Sequence, residues 1–90
     1  MQIVENWSTI TCKTVRSETG DGWVSVHVVV EQSESVAGFP NLIAAGPSIV
    51  ALRLKGQFDR QALSGSFKIK ARRAGTNIIW GEASTLQPVR

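Results

Sequence analysis

The sequence predicts an all-β fold: a small five-stranded antiparallel barrel with one or two short helical turns. Two observations carry this expectation. Successive segments alternate apolar and polar residues with a period of two, the pattern of strands that are buried on one side only. Their apolar positions are filled largely by β-branched and aromatic side chains, which fit a pleated sheet better than a helix.

The clearest strand is the second, Trp23 to Glu31, where Val24, Val26, Val28 and Val30 share one side and Ser25, His27 and Glu31 the other. Ahead of it, Glu18-Thr19-Gly20-Asp21-Gly22 places two glycines and an aspartate where the chain must reverse. The first two strands are therefore expected to form a hairpin. The first strand, from Ile3 to Arg16, is rich in Thr, Val and Ile, but its apolar residues change parity between Trp7 and Ile10. A bulge or bend there would reconcile the two halves.

Next comes Gly38-Phe39-Pro40-Asn41-Leu42-Ile43-Ala44-Ala45-Gly46-Pro47, which reads as one short helical turn with Phe39, Leu42 and Ile43 plugging an end of the barrel. From Ser48 to Lys55 alternation resumes, with Val50, Leu52 and Leu54 inward and Ala51, Arg53 and Lys55 outward. Asp59 is an N-cap candidate for a single turn over Arg60-Gln61-Ala62-Leu63. The fourth strand, Gly65 to Ala74, points Phe67, Ile69 and Ala71 inward and Lys68, Lys70 and Arg72 outward. Gly75-Thr76-Asn77 then turns it back to pair with Ile78 to Ala83.

A long, bent first strand that serves both ends of a small barrel resembles the architecture of oligonucleotide/oligosaccharide-binding (OB) barrels, and the fold is expected to be OB-like. An SH3-like barrel, with the same number of strands, is the alternative. The resemblance is to an architecture only, which does not by itself assign a function.

Ninety residues suit one domain with one core, spanning 1–90. With Cys12 as the only cysteine, neither an intrachain disulfide nor a metal site built on cysteine pairs is available within this chain. Met1 to Glu5 lacks the basic stretch and apolar run of a secretory signal, and no segment approaches the roughly 18 apolar residues of a membrane span. The expected setting is cytoplasmic, without a membrane partner.

Motifs for catalysis are thin. His27 is the only histidine, on the outward phase of its strand with no orienting acid beside it in sequence. Cys12 reads as a small core residue. No phosphate-binding glycine loop or metal-ligand spacing occurs, and Glu31 and Glu34 read as a solvated strand end rather than an acid/base pair. The expectation is a protein that is not an enzyme and uses no cofactor or metal.

Charge is the more informative property. Residues 1 to 47 carry two Lys/Arg against five Asp/Glu, whereas residues 48 to 90 carry eight against two. Arg53, Lys55, Lys68, Lys70 and Arg72 share the outward phase of two strands, with Arg73 breaking parity near a turn and Trp80 outward if Ile79 points in. Such a stripe is expected to track the phosphates of single-stranded DNA or RNA while Trp80 stacks a base. Two plainer explanations stand beside it. Solvated strands alternate the same way and use charge to deter aggregation, and Trp7, Trp23 and Trp80 would serve as core or rim packing. The other functional class is a protein-interaction or assembly subunit, in which an acidic half and a basic half promote association with copies of itself or with a larger complex.

Overall fold

The structure, a computed structural model, describes residues 5–20 and 22–89. The chain begins with the expected hairpin: β1 (Ser8–Gly20) runs antiparallel to β2 (Trp23–Ser35), with Gly20 opposite Trp23. Gly22 turns the corner at φ +73°, a conformation that glycine adopts without cost. Gly20 is required for a different reason. A Cβ there would lie 2.5 Å from the Trp23 indole, so the ring lies across bare backbone. The expected start of the first strand at Ile3, and Asp21 of the turn, fall outside the described residues.

After the hairpin come β3 (Ile49–Lys55), β4 (Ser66–Gly75), β5 (Ile78–Gly81) and a two-residue β6 (Gln87–Pro88). The strands lie in the order β1-β2-β3-β5-β4, and β4 pairs back onto β1, so five strands close a barrel; β6 adds to the edge of β4 that β5 leaves uncovered. Taken alone, the first four strands have the spatial order 4-1-2-3 of a Greek key, the connectivity on which OB-like barrels are built. The pairing corrects the wholly antiparallel expectation at one place: β3 and β5 are parallel. This follows from the insertion of β5 between β3 and β4, since β5 is antiparallel to β4 and must then run alongside β3.

The interior is what the alternation predicts. Val24, Val26, Val28, Leu52, Leu54, Phe67 and Ile69 are all buried, in one cluster with Ile10, Cys12, Ala71 and Ile79. Each such aliphatic or aromatic side chain contributes about 1.5 to 3 kcal/mol on burial. Gly81 is part of the same packing, because a Cβ on it would approach the δ-carbons of Ile69 and Leu54 to 2.7 Å.

Three further expectations need correction. The bulge in β1 lies at Val15, between Thr14 and Arg16, and the ladder's other irregularity adds Glu31 to β2 opposite Thr11 and Cys12; neither lies between Trp7 and Ile10. Trp7 precedes the strand on the outside, and the parity change records that. Segment 38–47 is not helical. Gly38 sits at φ +88°, Pro40 restricts the residue before it, and the Asn41 side chain accepts from the Ile43 N–H at 3.2 Å, an Asx turn that competes with helical bonding. Ile43 is nevertheless buried in the core, as expected of a plug, while Phe39 and Leu42 are half-buried. Lastly, β5 ends at Gly81 rather than at the expected Ala83, and a second 3₁₀ turn, Ala83–Thr85, follows it. The first, Arg60–Leu63, forms as expected, with Asp59 accepting from the Gln61 N–H at 2.9 Å. Among the described residues no helix is long and apolar enough to cross a membrane.

Candidate functional site

Because β5 separates β3 from β4, the two basic strands are not neighbours, and Trp80 is interposed between them. The register places Arg53 of β3 opposite Trp80 of β5, and Trp80 opposite Arg72 of β4. Continuing the β1–β4 register one step past Ser8–Ala71 brings Trp7 opposite Arg72. Asn6 holds that extension in place. Its side chain accepts from the Arg73 N–H at 2.7 Å and donates to the Arg73 carbonyl at 3.1 Å, imitating a ladder pair beyond the end of the strand. At the other end Trp23 faces Lys55 across the β2–β3 ladder and also reaches Arg53.

The outer wall therefore alternates aromatic and cationic side chains from strand to strand: Trp23, Arg53, Trp80, Arg72, Trp7. Neighbouring strands lie about 4.8 Å apart. The Arg53 guanidinium sits between two indoles, 5.3 Å from the Trp23 ring centre and 5.8 Å from that of Trp80. Lys55 Nζ lies 5.1 Å from the Trp80 ring and Lys70 Nζ 4.9 Å from the Trp7 ring. Cations at such distances are held by the ring quadrupole, worth about 0.5 to 1 kcal/mol at exposed sites. All three tryptophans are half-buried on this outer wall and none belongs to the core, which leaves only the rim half of the packing expectation.

Electrostatically the face is poorly compensated. Among the described residues, Arg53, Lys55 and Arg72 have no carboxylate within ion-pair distance; Arg16 pairs with Glu18 and Lys70 with Glu82. Among the described residues, none is a hydrogen-bond partner to the buried Arg53 Nε. Beside it an open groove is lined by Trp7, Lys55, Arg72, Trp80, Gly81 and Glu82.

Two of the expected site residues stand apart. Lys68 shares the outward phase but lies toward β6, in a shallow depression with Thr9, Lys70, Thr85 and Gln87 that no indole lines. Arg73 is on the opposite phase, turned toward a depression under the 38–48 loop with Leu42, Ile43 and Val50, and its Nε donates to the Gly75 carbonyl at 3.2 Å. Its parity break in the sequence marks this separation. Trp7, Trp23 and Glu82 belong to the face but were not singled out from the sequence as binding residues. For Trp23 the signal was available: it shares the parity of the outward Ser25 and His27.

Cys12 and His27 lie away from this groove. Cys12 is fully buried, and desolvation, helped by the charge of Glu31, pushes its thiol from an ordinary 9.0 up to about 12. His27 is half-buried on the outer side of β2, its Nε2 3.9 Å from Glu18, beyond hydrogen-bond range. No group of three or more His, Cys, Asp or Glu placed to hold a metal ion occurs among the described residues. Comparison of the chain with protein-family models, with curated proteins and with solved structures finds no match.

Proposed function

We propose that this protein is a non-enzymatic binding module whose outer β2–β3–β5–β4 wall takes single-stranded nucleic acid, DNA or RNA. The observation that carries the reading is the strand-by-strand alternation of Trp23, Arg53, Trp80, Arg72 and Trp7, with Lys55 and Lys70 seated on two of the same rings. Single strands need two things from a protein: cations spaced to meet phosphates, and flat apolar faces for unstacked bases. This wall interleaves the two. A merely solvated strand surface needs the charges but gains nothing from placing three large indoles among them. A cytoplasmic setting belongs to the same proposal.

Tryptophan emission tests it directly, because no indole lies in the core. Titration with a single-stranded oligonucleotide at low salt is expected to quench the fluorescence, with affinity falling as salt rises. Unchanged emission and no binding at low salt would overturn the reading.

The second reading, a protein-interaction or self-associating subunit, is favoured by one observation. On the same wall, toward the other end of β2 and β3, Ile49 is 51% exposed beside half-buried Val29 and Ala51. Sedimentation over a range of concentrations distinguishes it, since self-association predicts a mass above one chain that Ile49→Lys abolishes.

A further inference from the structure

The groove contains one group that phosphate binding alone does not explain. Glu82 follows Gly81 on the outward phase, so the β5 registers place it opposite Lys70 of β4 and beside Lys55 of β3. Its backbone is pinned: the N–H donates to the Lys70 carbonyl at 2.8 Å, and its carbonyl accepts from the Thr85 N–H at 2.9 Å and from Thr85 Oγ1 at 2.7 Å. Its carboxylate is not. The side chain is 44% exposed, it makes no cap hydrogen bond, and its nearest cation, Lys70 Nζ, is 3.9 Å away, too far for a hydrogen bond. Both flanking lysines are seated on indoles instead, Lys55 on Trp80 and Lys70 on Trp7. A surface pair at that distance adds little stability. What remains is an acceptor-only group, fixed at its base, in a groove with two indoles.

We propose that Glu82 reads the Watson–Crick edge of one unpaired base in this groove and that it selects guanine. The inference rests on the single-strand reading of the face. A carboxylate offers two oxygens that accept and none that donates. Guanine presents N1–H and N2–H side by side on that edge, so both oxygens are satisfied at once. Cytosine and adenine present one donor next to an acceptor nitrogen, and thymine or uracil one donor between two carbonyl oxygens, each of which repels a carboxylate. Single-strand readers recognise unstacked bases through this edge while aromatic side chains hold the base plane. Lys55, Lys70 and Arg72 around the groove offset the repulsion between Glu82 and the phosphates of the same strand.

The experiment uses fluorescently labelled single-stranded DNA of one length, all thymine except for a central guanine, inosine, adenine, cytosine or thymine. Each is titrated with the wild-type protein and with Glu82→Gln. For the wild type, guanine should bind about tenfold or more tightly than thymine, the scale of a good bidentate contact to a base. Inosine, which lacks the N2 amine, should fall between. Glu82→Gln should lose the preference for guanine while keeping or gaining affinity for the all-thymine strand, because an amide presents a donor nitrogen beside an acceptor oxygen and carries no charge. Equal binding of all five strands by the wild type, or a guanine preference that survives in Glu82→Gln, overturns the assignment of Glu82 and leaves the single-strand reading standing. Failure of the wild type to bind any of the strands at low salt overturns both.

Discussion

Leu52 and Arg53 are consecutive residues of one strand, and so are Ile79 and Trp80, yet each pair divides between two walls built on different rules. On the inner wall Leu52 and Ile79 meet side chains drawn from every barrel strand, and almost any well-packed apolar neighbour would satisfy them. On the outer wall Arg53 and Trp80 meet only what the strand order puts beside them. The inner wall follows from alternation within each strand. The outer wall is a property of the order β2-β3-β5-β4-β1, and it exists as a face only because β5 inserts between two basic strands. Changes to the inner wall should therefore be felt as stability, and changes to the outer wall as binding.

The largest separation is expected for Phe67→Ala. Phe67 is fully buried, and its truncation should cost about 3 to 5 kcal/mol in chemical denaturation. Protein that remains folded should bind a single strand with unchanged affinity. Gly81→Ala comes next, because the added methyl meets Ile69 and Leu54 at 2.7 Å; overpacking should cost about 1 to 3 kcal/mol although Gly81 also borders the groove. If Gly81→Ala weakened binding while stability held, the two walls would be less independent than the packing implies.

Cys12 gives a smaller effect confined to alkaline pH. Its folded pKa, about 12, lies above the ordinary 9.0, so the folded chain holds a proton that the unfolded chain releases. The contribution of the buried thiol is complete below pH 9.0 and is lost as pH rises from there toward 12. Denaturation measured across that interval should show a fall that is shallower in Cys12→Ala, and thiol labelling of the folded protein near neutral pH should be slow.

The contrast between the walls also explains what the sequence made legible. Period-two patterning in Val24–Val30, Val50–Leu54 and Phe67–Ala71 identified the core, the hairpins and the outward phase of Arg53, Lys55, Lys70, Arg72 and Trp80. Those are local properties. Strand order is not, so neither the parallel β3–β5 pair nor the placement of Trp80 between Arg53 and Arg72 followed from periodicity. Trp7 was obscured for a related reason: a residue just outside a strand gives a parity change that looks like a bulge, and only the Asn6–Arg73 bonds show that it continues the ladder. In the 38–47 loop glycine and proline at the ends resemble helix punctuation, whereas Asn41 organises the segment through its side chain. Lys68 and Arg72 look alike in the pattern, yet the late chain from Ala83 to Pro88 covers the β4 edge near one and not the other.

The central claim is that one outer face supplies phosphate contacts and stacking surfaces by separate side chains. The most direct test is the salt dependence of single-stranded oligonucleotide affinity for the wild type, Arg72→Ala and Trp80→Ala. Each phosphate contact should contribute about 0.7 to the slope of log affinity against log salt, so Arg72→Ala should flatten the slope by about that amount. Trp80→Ala should lower affinity by about 1 to 3 kcal/mol at every salt concentration and leave the slope unchanged, because stacking releases no condensed ions. An unaltered slope in Arg72→Ala, together with unaltered affinity in Trp80→Ala, would contradict the account.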